Sequence, residues 1–280
     1  MEVVTNIPEL RTKCAGIPRP VGFVPTMGYL HDGHLSLVQR ALEECASVVV
    51  SIFVNPTQFA PNEDLDAYPR DIPRDLQLLD DEGVDVVWTP NPDVMYPSGY
   101  QTWVVVDKVT KPLEGIYRPA HFRGVTTVVA KLFNCVEPQK SYFGQKDAQQ
   151  VVVIRRLVQD LNFSTEIVVC PIVREADGLA MSSRNVFLNP DERKAATVLY
   201  RSLCAAEEAF NQGHQEASML RRIVIETING EKLAKLQYIS CANPDTLEEL
   251  DGTVKRGLLS TAVYFGKTRL IDNILIGEPS

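Results

Sequence analysis

Apolar and polar positions over the first 175 residues switch between two periods. Val21 to Val24 is a short apolar run ending at Pro25. After it, Leu35, Val38, Leu42 and Cys45 recur at helical spacing, which predicts an amphipathic helix from Gly33 to Cys45. Ser47 to Val54 (SVVVSIFV) is almost continuously apolar and β-branched, the signature of a strand buried on both faces, and Asn55-Pro56 stops it. The alternation continues with a helix over Arg70 to Glu82, then Gly83 and a strand over Val84 to Thr89. Beyond a Pro-rich connection come a helix over Thr127 to Val136, a short strand over Ser141 to Phe143 and a helix over Asp147 to Leu161. A strand over Glu166 to Cys170 closes at Pro171. The Pro- and Gly-rich stretch before Val21 (KCAGIPRP) argues against a full helix there. Strands alternating with helices of these lengths predict parallel βαβ units, hence an open α/β sheet with right-handed crossovers.

From about Asp177 the texture changes. Asn189-Pro190 combines an N-cap residue with proline at the first helical position, and predicts a long helix to about Phe210. A second helix follows over Gln215 to Ile228, then strand-like runs at Leu236 to Cys241 and Thr261 to Phe265. The expected organisation is an α/β domain over 1–175 and a smaller α+β domain over 176–280.

Composition narrows the partners. The 280 residues are 45% hydrophobic and 23% charged, which is globular and excludes disordered or collagenous chains. A formal net charge of −8 repels phosphate on average, so neither nucleic acid nor an anionic membrane is an expected partner. An anionic small substrate would instead need a local cluster of donors. Six cysteines without a C-x-x-C read as buried hydrophobes in a reducing compartment. With no secretory signal and no apolar run long enough to span a bilayer, the expected location is cytoplasmic.

Familiar nucleotide motifs are absent: no G-x-G-x-x-G follows a strand, and Gly266-Lys267-Thr268 lacks the first glycine of a P-loop. Four other segments carry the candidate chemistry. Pro25 to His34 (PTMGYLHDGH) joins the first strand to the first helix, at the carboxyl edge where open α/β sheets bind ligands. There a helix N-terminus attracts anions, and His31 and His34 can face one anion together; equally, the pair could simply cap the helix or pack in the loop. Tyr142 to Gln150 (YFGQKDAQQ) is again strand, glycine turn and helix start, with Lys146 suited to phosphate and Asp147 to ribose hydroxyls or to an ordinary N-cap. Gly178 to Asn185 (GLAMSSRN) offers two hydroxyls and a guanidinium to a triphosphate, or is a plain loop. Gln58, leaving the second strand, could hold a hydroxyl or carboxylate or face solvent.

Taken with EDLDAYPR, RPAHFRGVTTVVAKLFN and VREADGLAMSSRN, the segments PTMGYLHDGHL, SIFVNPTQF and YFGQKDAQQ resemble the pantothenate synthetase (pantoate–β-alanine ligase) family over most of the chain. That family belongs to the HxGH nucleotidyl-transfer superfamily. The resemblance implies a Rossmann-like parallel sheet with helices on both faces, a small C-terminal lid domain and a homodimer. It also implies that ATP, with Mg²⁺, activates pantoate as an adenylate, releasing pyrophosphate, and that β-alanine then displaces AMP.

By the same resemblance Met27, Gly28, His31, Gly33 and His34 surround the ATP phosphates, with His34 in the catalytic role. Gly144, Gln145, Lys146 and Asp147 contact ATP, Val173 meets adenine through its backbone, and Met181, Ser182, Ser183 and Arg184 form a KMSKS-like loop. His31, His34, Lys146, Ser182, Ser183 and Arg184 make up the implied catalytic set, and no resident metal ligands are implied. Gln58 and Gln150 would hold pantoate, Gln58 also lying near β-alanine. Tyr68, Arg118 and His121 fall in matching segments without an assigned role. Ala148 stands where an aromatic is expected, and Gln145 where Glu is common.

Overall fold

The computed structural model describes residues 1–61 and 63–277. It divides into two compact units, Met1–Gln145 with Val153–Pro171, and Lys146–Val152 with Ile172–Ser280.

The first unit holds a six-stranded parallel sheet. Its strands are β1 (Glu2–Val4), β2 (Val21–Thr26), β3 (Ser47–Ile52), β4 (Val86–Trp88), β5 (Lys140–Gly144) and β6 (Glu166–Cys170), in spatial order β1-β4-β3-β2-β5-β6. Its helices are α1 (Ile7–Gly16), α2 (Asp32–Glu44), α3 (Ile72–Glu82), the single turns α4 (Pro92–Met95) and α5 (Glu114–Tyr117), and α6 (His121–Val136). Helix α7 (Ala148–Asp160) links β5 to β6. Successive residues of a strand face opposite sides, and β2 shows both. Val24 shares a buried cluster with Leu37, Val38 and Ala41 of α2 and Leu79 of α3. Phe23 meets Phe133 of α6 edge to face at 6.4 Å on the other side. The helices therefore cover both faces, as the double-sided hydrophobicity of SVVVSI requires.

Winding reverses at β2, with β3 and β4 on one side and β5 and β6 on the other. The β2–β5 ladder pairs only Gly22 with Lys140 and Phe23 with Ser141. Both strands run on past this pairing, so they part toward their carboxyl ends. Such a switch point is where open α/β sheets accept ligands.

The chain departs from its sequence pattern in several places. A full helix does precede Val21: Asn6 caps α1 by accepting the Glu9 N–H, and the helix ends at Gly16, ahead of the prolines. The strand expected over Val84 to Thr89 shortens to Val86–Trp88, because the Val84 N–H bonds back to Leu79 O behind Gly83 (φ 86°) in a helix-ending turn. Helix α6 starts at His121, six residues ahead of the apolar run that announces it.

In the second unit, α8 (Pro190–Ala195), α9 (Val198–Asn211) and α10 (Ala217–Asn229) precede an antiparallel sheet of β7 (Ala234–Ala242), β8 (Gly257–Phe265) and β9 (Thr268–Ile276). Its core joins Leu199, Leu203, Leu220 and Val224 to Leu259, Val263, Phe265 and Leu270. The single long helix expected from Pro190 is broken between α8 and α9. Thr197 turns both its hydroxyl and its N–H onto Lys194 O, tightening the turn to i−3 bonding. Strand β9 is an addition that the pattern did not announce.

Candidate active site

The loop after β2 is built to hold an unusual backbone. Gly28 (φ 79°) and Tyr29 (φ 52°) are consecutive left-handed residues. A side chain at Gly28 would stand 2.9 Å from Ile52 Cγ2 and 3.0 Å from Asp75 Oδ2. The buried Asp75 carboxylate, in the first turn of α3, accepts the N–H of Tyr29 at 2.7 Å and of Leu30 at 2.8 Å. Burial raises its pKa, and those two bonds pull partly against the rise. Its neighbour Arg74 donates to Leu30 O at 2.9 Å and lies over the Tyr29 ring.

Beyond this loop His31 is the N-cap of α2. The His31 N–H donates to His34 Nδ1 at 3.3 Å, and the two rings lie 4.1 Å apart. With Nδ1 accepting, Nε2 is the His34 ring nitrogen that carries the N–H. Both imidazoles, with Gly33, thus occupy the positive end of a 13-residue helix. The structure brings the two histidines together at this terminus, where either reading of the motif placed them.

Gln58 ends a 3₁₀ turn over Pro56–Gln58 that follows β3. Its Nε2 lies 3.0 Å from Met27 Sδ, and its Oε1 accepts from Asn55 Nδ2 at 3.1 Å. Asn55, only 1% exposed, also donates to Gly124 O and accepts from the Thr57 and Tyr96 hydroxyls. A Cβ on Gly124 would come within 2.4 Å of Thr57 O, so α6 packs backbone to backbone against the turn.

Arg118 and His121 act on the same turn. Arg118 grips Glu63 at 2.6 and 2.7 Å, and its Nη2 donates to Gln58 O at 3.2 Å. Burial would raise the Glu63 pKa, but the Arg118 bonds and charge outweigh it and hold the carboxyl below its usual range. His121 Nδ1 lies 2.9 Å from Gln58 O. Desolvation, helped by the Arg118 charge, pushes this imidazole down to about 4, so at neutral pH it is the uncharged Nδ1–H donor. Tyr68 is buried edge-on against Phe59. Gly144 ends β5, beside the widening gap from β2, and Gln145 opens the 3₁₀ turn Gln145–Asp147.

The remaining candidates belong to the second unit. Lys146 is half-buried and Asp147 exposed in that 3₁₀ turn, while Gln150 is half-buried in the first turn of α7. The Lys146 carbonyl accepts from Asn273 Nδ2 of β9 at 2.9 Å. Val173 O accepts the Met181 N–H at 3.0 Å, closing a narrow hairpin through the Arg174–Ala180 bridge. Gly178 (φ 92°) turns it, against the Tyr200 ring. Ser182 caps the 3₁₀ turn Ser183–Phe187 by accepting the Arg184 N–H, Ser183 is buried and Arg184 half-buried.

Sequence reasoning missed Asp75, Arg74, Asn55, Asp272 and Asn273. Asp75 falls inside the helix expected over 70–82 with nothing to single it out, and Asn55 reads as a strand stop; only their burial betrays them. Among the described residues no group of three or more His, Cys, Asp or Glu side chains could hold a metal ion, and no helix is long and apolar enough to cross a membrane. All six cysteines are free thiols.

The family profile described as Pantoate-beta-alanine ligase matches residues 2–275. Pantothenate synthetase of Roseiflexus castenholzii is 57% identical over 99% of this chain and 99% of its own length. The crystal structure of pantothenate synthetase from Thermus thermophilus superposes with a TM-score of 0.95 at 48% identity, covering 99% of this chain and 100% of that one. Pantoate-beta-alanine ligase from Francisella tularensis, complexed with beta-gamma ATP and beta-alanine, gives 0.82 at 38% identity over 98% and 97% of the two chains.

Proposed function

Since the chain belongs to the pantoate–β-alanine ligase family and is an enzyme of that acid–amino-acid ligase class, we propose that it joins (R)-pantoate to β-alanine by way of a pantoyl adenylate. A pantoate carboxylate oxygen attacks the α-phosphorus of ATP and expels pyrophosphate. The β-alanine amine then attacks the acyl carbon and expels AMP, giving pantothenate. Magnesium enters as MgATP, the substrate, because Mg²⁺ is commonly carried by nucleotide phosphates.

The first step gathers negative charge on the α-phosphate and the departing pyrophosphate, so the demand on the protein is electrostatic. In this reading Met27, Gly28, His31, Gly33 and His34 receive the phosphates at the α2 terminus, with His34 donating through Nε2–H. Lys146 supplies a movable point charge, Arg184 a planar fork, and Ser182 and Ser183 hydroxyls. Gly144, Gln145, Asp147, Val173 and Met181 complete the nucleotide contacts, and Gln58 and Gln150 hold pantoate. No covalent enzyme nucleophile is required. We also assign a homodimer acting in the cytoplasm, without nucleic-acid or membrane partners.

One observation carries the reading: Gln58 Nε2 stands 3.0 Å from Met27 Sδ, which sets the pantoate candidate beside the phosphate loop. The deciding experiment incubates the protein with MgATP, pantoate and β-alanine, omitting each in turn. AMP formation should need all three, and pantoate-dependent ATP–pyrophosphate exchange should need no β-alanine. AMP release without β-alanine dependence, or no exchange, would overturn it.

A further inference from the structure

Two neighbours on β9 hold two separate nucleotide segments. Asp272 and Asn273 are 2% and 3% exposed, an unusual pair of polar residues to bury side by side in a strand. Consecutive strand residues face opposite sides, so the pair serves both faces of the sheet. On the core side Asp272 accepts a fork from Arg174, at 2.7 and 3.0 Å. The Arg174 guanidinium also donates to Gly178 O at 3.1 Å and stacks on Tyr200 of α9, 3.8 Å from the ring centroid. Arg174 thereby ties the first arm and the turn of the Val173–Met181 hairpin, which leads into Ser182, to one strand. On the opposite side Asn273 Nδ2 donates to Lys146 O at 2.9 Å, across 127 residues of chain. The Asn273 N–H closes the set by donating to Asp272 Oδ1 at 2.8 Å.

We propose that Asp272 and Asn273 are positioning residues that place Lys146 and the Ser182–Arg184 loop for the nucleotide, β9 serving as their common reference. The inference rests on the ATP role proposed above for those residues. The physical requirement is that donors be held in place before charge develops, by partners on a rigid element. Strand β9 is such an element, since all nine of its residues pair with β8. The bond to Lys146 reaches its backbone, so it fixes where the side chain starts without consuming the ammonium. The Arg174–Asp272 fork, half-buried at the arginine and buried at the carboxylate, is directional in a way a point charge is not.

The test compares Asn273→Asp, Arg174→Lys and Lys146→Ala in the whole protein, by ATP–pyrophosphate exchange, KM for ATP and for pantoate, and thermal midpoint. Asn273→Asp keeps the shape and removes the donor. Its kcat/KM for ATP should fall about five- to tenfold, the worth of one hydrogen bond, with KM for pantoate unchanged. Arg174→Lys should lower the same ratio. Lys146→Ala keeps the carbonyl that Asn273 holds and should abolish exchange. Normal ATP kinetics in Asn273→Asp beside a dead Lys146→Ala would overturn the positioning role alone. Equal losses toward ATP and pantoate would reduce the pair to fold stability and overturn it as well. Full exchange in Lys146→Ala would instead overturn the ATP reading on which it rests. Asn273→Ala, which adds no charge, decides the same point if the aspartate variant does not fold.

Discussion

The Asp75 carboxylate accepts the backbone N–H of Leu30 at 2.8 Å, from 45 residues away and out of contact with water. With its second bond to Tyr29 it satisfies two consecutive amides in a left-handed stretch that no regular ladder could serve. Asp75→Asn keeps the volume but presents an NH₂ to one of those donors. The expected cost is about 1–3 kcal/mol, the usual penalty for a buried group left without its bond, read as a shift in the urea midpoint. Pantoate-dependent exchange should fall with it, since the same loop leads into His31. Unchanged stability would remove Asp75 from this role.

His34→Ala should lower the adenylation rate by roughly 10²–10³, the usual size for deleting one donor aimed at developing charge. Exchange kinetics measure this directly. A wild-type rate would deny His34 its part in the first step.

Gln58→Ala should raise KM for pantoate far more than KM for ATP; equal damage to both would refute the assignment. Gly124→Ala reaches the same residue through the backbone, since its Cβ would stand 2.4 Å from Thr57 O and push the turn aside. Overpacking of this kind costs about 1–3 kcal/mol, so a lower thermal midpoint and a weaker pantoate constant should appear together.

Stability should fall as pH drops from 6.5 toward 4. His121 titrates near 4 in the folded chain against 6.5 ordinarily, so between these values the unfolded chain binds more protons. Its contribution is therefore fully present above 6.5 and is lost on acidification, by up to about 3 kcal/mol at 1.36 kcal/mol per pKa unit. Glu63, held low by Arg118, adds loss in the same direction as pH falls further. His121→Gln cannot titrate and should flatten the upper part of the urea-midpoint profile. An identical slope in both proteins would place the effect elsewhere.

The α/β class was legible because a strand buried on both faces must be apolar throughout, and SVVVSI is. The start of α6 was not, although Phe122, Val125 and Val129 keep a helical period, because Gly124 and the β-branched run over 125–129 are poor local helix formers; in the fold that stretch packs against the 56–58 turn. Strand β9 escaped for a related reason. Asp272 and Asn273 interrupt its alternation, and only their partners Arg174 and Lys146 make them tolerable in a buried strand.

The candidate residues divide along the same line. By itself the order of residues determined which local segments could bind an anion, because a glycine turn before a helix start is a property of ten neighbouring residues. It could not determine which side chains hold those turns. Asp75 beneath Leu30, Arg118 and His121 behind Gln58, and Asn273 behind Lys146 lie 45, 60, 63 and 127 positions from the groups they fix. A buried polar atom takes whatever partner the packing brings within hydrogen-bond reach, and that choice exists only once the chain has folded.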